Sequence, residues 1–147
     1  MINKMISSVG VGATSAGGTG TLYIDKTDDN YGIGEGLTFH ADAEDNIALG
    51  EDALNSTSGA ALKNIAIGTS ALTTLTEGDD NIAIGYQALE NTTTAAHQNI
   101  AIGNLSMDGA WSTADVDNCV VVGYGAMRGV LTNTASGTTA IGASALG

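Results

Sequence analysis

A short motif of alternating polar and aliphatic positions recurs along most of the chain. Four copies are nearly identical: Asn46-Ile-Ala-Leu-Gly50, Asn64-Ile-Ala-Ile-Gly68, Asn81-Ile-Ala-Ile-Gly85 and Asn99-Ile-Ala-Ile-Gly103. Two looser copies follow, Cys119-Val-Val-Val-Gly123 and Thr138-Thr-Ala-Ile-Gly142. After each Gly come two variable residues, then a small residue, then Leu or Met. These pairs are Ala53-Leu54, Ala71-Leu72, Ala88-Leu89, Ser106-Met107, Ala126-Met127 and Ala145-Leu146. The spacings from Gly to Gly are 18, 17, 18, 20 and 19. A strand-like core repeated at that period predicts one solenoid coil per copy. The expected fold is therefore all-β, a parallel β-helix or β-roll of about six coils of 17–20 residues.

Side chains alternate across a strand, so each core has two possible facings. The natural expectation places the larger residues inside. The coil core would then be Ile47, Leu49, Ile65, Ile67, Ile82, Ile84, Ile100, Ile102, Val120, Val122 and Ile141. The central residues Ala48, Ala66, Ala83, Ala101, Val121 and Ala140 would face outward. A row of small apolar residues on an outer wall predicts a covering surface. The sequence expectation is that this row forms the interface of a homotrimer, intertwined or side by side.

Gly at the end of each core suits a corner with positive φ or a close backbone approach. The leading Asn46, Asn64, Asn81 and Asn99 predict a ladder of stacked amides bonded from coil to coil. The residue before each one runs Asp45, Lys63, Asp80, Gln98, Asp117. Stacked in register, acid sits next to base or neutral and never next to acid, which avoids the destabilisation of like charges opposite each other. In the fifth copy Asp117-Asn118 resembles the usual lead-in, so Cys119 is expected to be a one-residue bulge and a half-buried structural thiol.

Residues 41–147 thus form the predicted solenoid domain. Residues 1–40 hold no evident core copy and are expected to be a cap or an attachment segment. They contain a Gly/Ser/Thr-rich stretch from Ser7 to Thr21, a strand-like Thr21–Ile24, an acidic turn at Asp28-Asp29-Asn30 and a second strand-like run, Leu37–His40. The sixth core lies directly before Gly147, and solenoids normally carry a capping unit. An uncapped end predicts cleavage, truncation or burial against another protein. No apolar run of about 7–15 residues follows Lys4, which argues against a signal peptide. No stretch reaches the ~18 apolar residues of a membrane span.

Composition narrows the function classes. Four Lys and Arg face 16 Asp and Glu, for a net charge of −12. Such a chain will not bind nucleic acid by neutralising phosphates. With 21 Gly, no Pro and a single cysteine, neither a collagen nor a disulfide framework fits.

The run Asn81-Ile-Ala-Ile-Gly-Tyr86-Gln87-Ala88-Leu89 resembles repeats of phage fibre proteins. It is also similar to the head domains of trimeric autotransporter adhesins, and the resemblance covers about residues 45–147. It implies a left-handed parallel solenoid in which three chains pack around an axis. The adhesins need a signal peptide, stalk and membrane anchor; the phage branch needs none, because virions assemble in the host cytoplasm. The expected function is a structural protein of a phage virion, either a trimeric decoration or cement protein or a short fibre. Its partners would be further copies of itself and other virion proteins, the latter reached through the N-terminal segment. No membrane or nucleic-acid partner is expected. The alternative is a receptor-binding fibre or adhesin head, with a host-surface glycan as partner.

The segment Leu49-Gly50-Glu51-Asp52-Ala53-Leu54 also fits the hexapeptide rule of trimeric acyltransferases. Those enzymes carry about three hexapeptides per coil and a catalytic His, for which only His40 and His97 are available, neither within a motif. No catalytic residue, metal ligand or cofactor is assigned. The acidic groups Asp42/Glu44/Asp45 and Asp79/Asp80 offer oxygen ligands of the kind Ca²⁺ takes but read as solvated faces, and Asp28-Asp29-Asn30-Tyr31-Gly32 lacks the full spacing of a calcium loop. Thr73-Thr74 and Thr92–Thr94 do not recur at one position, as an ice-binding face would require. Trp111 reads either as a partner contact or as a packed corner.

Overall fold

The structure is a computed structural model. It describes residues 21–25, 28–37, 39–40, 42–55, 59, 61–91, 96–109, 116–129 and 135–147. The stretch 7–20, Thr92–Thr94 and Trp111 lie outside the described residues.

The described chain is a parallel β-solenoid. Its main sheet has eight strands in the order β1-β2-β3-β4-β5-β7-β9-β10. These are β1 (Thr21–Asp25), β2 (Asn30–Gly34), β3 (Ile47–Leu49), β4 (Ile65–Ile67), β5 (Ile82–Ile84), β7 (Ile100–Ile102), β9 (Val120–Val122) and β10 (Thr139–Ile141). From β2 to β10 every neighbouring pair is parallel, and the motif positions stay in register, Ala48 on Ala66 on Ala83 on Ala101 on Val121 on Ala140. A second, two-stranded sheet joins β6 (Ala96–His97) to β8 (Val116–Asp117). Each predicted core is a strand, and the sheet contains one more.

The additional core is Asn30-Tyr31-Gly32-Ile33-Gly34, within the segment expected to hold none. Tyr31, Gly32 and Ile33 pair with Ile47, Ala48 and Leu49. Residues expected to precede the solenoid therefore belong to its sheet. β1 pairs with β2 in the antiparallel sense and covers that edge of the sheet. Of the expected strand Leu37–His40, the described residues Leu37, Phe39 and His40 are not in a strand: Leu37 and Phe39 pack against the core, and the Phe39 ring lies 4.9 Å from that of Tyr23.

The facing of the strands is the reverse of the sequence expectation. Ala48, Ala66, Ala83, Ala101 and Val121 are each 0% exposed, inside the coil. The predicted core residues Ile47, Leu49, Ile65, Ile67, Ile82, Ile84, Ile100, Ile102, Val120, Val122 and Ile141 lie on the outer face, half-buried or exposed. The reason is volume. A three-residue strand points either one side chain inward or two. Here the coil interior is already filled from the turns by Leu54, Leu72, Leu89, Met107 and Met127, all buried. Ala53, Ala71, Ala88 and Ala126, and on another side Ala61, Ala96 and Ala135, are buried in the same core. At the Ala48, Ala66, Ala83 and Ala101 levels the strand centre holds only a methyl group, and Val121 takes that position one level further on.

The turn delivers its Leu or Met inward by a left-handed backbone. Leu54, Leu72, Leu89, Met107 and Met127 have φ between 47° and 55°. Single αL residues of this kind cost about 1–2 kcal/mol each. The preceding corner needs Gly for two reasons. Gly85 has φ +135°, and a Cβ there would lie 2.6 Å from the Gly103 backbone in the next coil. Gly50, Gly68, Gly103 and Gly123 repeat that approach.

Candidate functional site

Two features run the length of the solenoid: a buried amide ladder and an exposed aliphatic face. The ladder is the internal scaffold. Each Asn side chain donates to a backbone carbonyl of the next coil and to the Asn one level below. Its oxygen accepts from the Asn one level above. Asn81 is typical. Its Nδ2 donates to the Asn64 Oδ1 at 2.9 Å and to the Ala96 carbonyl at 2.6 Å. Its Oδ1 accepts from the Asn99 backbone N–H at 3.1 Å and the Asn99 amide at 3.0 Å. Such a column satisfies polar groups that would otherwise be orphaned in the core.

The ladder is longer than expected at its start. Asn30 accepts from the backbone and side chain of Asn46 at 3.1 and 2.9 Å. It ends at Cys119, which occupies the next ladder position and donates its backbone N–H to the Asn99 Oδ1 at 3.0 Å. The expected bulge is therefore absent, since Val120 pairs directly with Ile100. Asn118 is instead the corner residue, with φ 58°, equivalent to Asp45, Lys63, Asp80 and Gln98. Cys119 is fully buried rather than half-buried, and its Sγ–H donates to the Ala135 carbonyl at 3.0 Å. Burial pushes the thiol pKa up, more than nearby backbone hydrogen bonds lower it.

The aliphatic face is the outer surface of the main sheet. One row is Tyr31, Ile47, Ile65, Ile82, Ile100 and Val120; the other is Ile33, Leu49, Ile67, Ile84, Ile102, Val122 and Ile141. Exposure reaches 58% at Ile33 and 70% at Ile141. Seven parallel strands at ~4.8 Å spacing, each about 10 Å long, make a face of roughly 300 Å². That is about the size of the largest apolar patch on an ordinary monomer, and such patches are often functional. The expected trimer interface, the Ala row, has no surface to offer a partner.

The titratable candidates are in local contacts. The His97 Nδ1 accepts from the Asp79 backbone N–H at 3.2 Å and lies 3.7 Å from the Asp79 carboxylate. His40 makes the equivalent pair of contacts with Asp42. The two histidines belong to different levels of the solenoid. Among the described residues, no group of three or more His, Cys, Asp or Glu side chains converges as a metal site. No described helix is long and apolar enough to cross a membrane.

Ladder, glycine corner and aliphatic face together define a parallel β-solenoid repeat protein. Compared with protein-family models, curated proteins and solved structures, the chain matches none.

Proposed function

We propose that the chain is a structural protein of a phage virion, a β-solenoid that works as a homotrimer. The capsid decoration or cement role and the short-fibre role share this architecture. The observation that carries the proposal is the exposed aliphatic face. The coil interior is complete without these side chains, and water is a poor neighbour for two continuous rows of them. A second copy presents the same rows at the same strand spacing. The interface therefore moves from the alanines to Ile47, Ile65, Ile82, Ile100 and their neighbours. Three copies, each of charge −12, carry −36 together, which keeps assembled particles apart in solution. The N-terminal segment is the proposed attachment to other virion proteins, within the host cytoplasm where particles assemble.

Sedimentation of the purified chain tests the assembly. The expected mass is three copies, and Ile84→Glu is expected to yield a folded single copy with an unchanged circular dichroism spectrum. A stable monomer at high micromolar concentration would refute the interface. If Ile84→Glu unfolds, the milder Ile84→Ser and Ile67→Ser pair serves the same purpose. The virion role is tested separately, by locating the chain in purified particles with labelled antibody and electron microscopy. Its absence from particles would refute that role and leave the assembly standing.

A further inference from the structure

We propose that Tyr86, Asn104 and Tyr124 form a stacking platform for a neutral, extended β-1,4-linked oligosaccharide lying along the solenoid axis. The inference is independent of the virion role and requires only one copy. The three residues occupy one column, the position directly after the corner glycine. Backbone bonds from Leu105 N–H to the Tyr86 carbonyl at 2.8 Å and from Gly125 N–H to the Asn104 carbonyl at 3.0 Å stack them coil on coil. Tyr86 is 48% exposed and Tyr124 59%, so neither ring serves the core.

The column fixes the spacing. Tyr86 and Tyr124 are two coils apart, about 10 Å at the usual strand separation. That is close to the repeat of a two-sugar unit in an extended β-1,4-linked chain. In such a chain successive rings flip, so every second sugar presents the same face. Sugars one and three would lie over the two tyrosines, with their C–H faces on the aromatic rings. The middle sugar would lie over Asn104. The Asn104 Oδ1 accepts from the Tyr86 backbone N–H at 3.1 Å, which anchors this exposed amide beside Tyr86. A few placed polar groups among apolar contacts are the usual composition of a ligand site.

Charge selects the class of sugar. The chain carries −12, which repels an anionic polysaccharide. Within this column the acidic side chains, Glu35 and Glu51, lie on earlier coils, and Thr69 separates them from Tyr86. A neutral glycan meets no such penalty.

The full chain is titrated with cellohexaose and chitohexaose, with maltohexaose as the helical α-1,4 control, by calorimetry and saturation-transfer NMR. Binding of at least one β-1,4 hexamer and not of maltohexaose is expected. Tyr86→Ala or Tyr124→Ala is expected to weaken binding about tenfold, a stacking contact of ordinary strength. Tyr86→Phe and Tyr124→Phe are expected to retain it. Unchanged thermal melting of the variants shows that the fold is intact. The proposal is overturned if neither β-1,4 hexamer binds at millimolar concentration. It also falls if maltohexaose binds equally or if the double alanine variant binds as well as the original chain. If the alanine variants lose self-association instead of sugar binding, the column belongs to the interface between copies and the proposal fails.

Discussion

Asn81→Ala is the sharpest test of what holds the coils together. Asn81 is 0% exposed and sits at the middle of the ladder. The substitution removes four hydrogen bonds: two donated, to Asn64 and to the Ala96 carbonyl, and two accepted, from the Asn99 backbone and side chain. Asn64 and Asn99 keep other partners through the Asn81 backbone N–H and the Val116 carbonyl. The Ala96 carbonyl and the Asn99 backbone N–H each lose a buried partner. At ~1 kcal/mol per net bond the loss is about 4 kcal/mol. Stranding two buried groups keeps it from being smaller. In a domain of this size that lowers the thermal midpoint by roughly 8–16 °C. Chemical denaturation with circular dichroism reads the free energy, and a thermal melt reads the midpoint. Asn104→Ala, which touches an exposed amide, is the control and is expected to cost under about 0.5 kcal/mol. If Asn81→Ala costs less than about 1 kcal/mol, the ladder is not what secures the stack.

Three further outcomes follow from the same geometry. Ala83→Leu is expected to destabilise folding by about 3 kcal/mol, because the strand centre has no room for three more carbons. An unchanged melt with lost self-association would restore the outward-facing alanines. Gly85→Ala is expected to cost at least ~3 kcal/mol by urea titration, since both its φ and the Gly103 backbone oppose a Cβ; a cost near zero would refute the close approach. Burial raises the Cys119 thiol pKa in the folded chain, so its contribution is fully present below the unfolded thiol range. It declines as pH rises through that range, because the unfolded chain loses its proton first. Unfolding titrations at pH 7 and pH 10 are expected to show a larger loss in the original chain than in Cys119→Ala, and equal losses would refute the assignment.

The repeat was legible because the ladder and the corner impose the same requirement at each level. An amide between two amides has to be Asn, and a corner 2.6 Å from another corner has to be Gly. The facing was not legible. A three-residue alternation has two solutions, and what chooses between them is Leu54 and its equivalents, which lie in the turn. They reach the interior only through an αL backbone that the identity of Leu argues against. The fifth level is ambiguous for a related reason. Asn suits both the ladder and a left-handed corner, so the lead-in Asp117-Asn118 makes Cys119 look like an inserted residue. Pairing of Val120 with Ile100 decides for Cys119. The first core was hidden by Gly32, where the missing methyl is replaced from outside. A Cβ on Gly32 would meet the Leu37 side chain at 2.8 Å, so Leu37 fills that space.

The inverted facing strengthens the case for a partner surface. Had the isoleucines been interior, packing within one chain would account for them completely. Outside, they are only partly covered by their neighbours along the sheet, and polar β-branched residues would also suit the strands. Thr139, at the same column in the last strand, shows that a polar residue fits there. The proposed self-association rests on isoleucine or valine at the five preceding levels of that column. Under that proposal, a second copy with the same rows at the same spacing covers them.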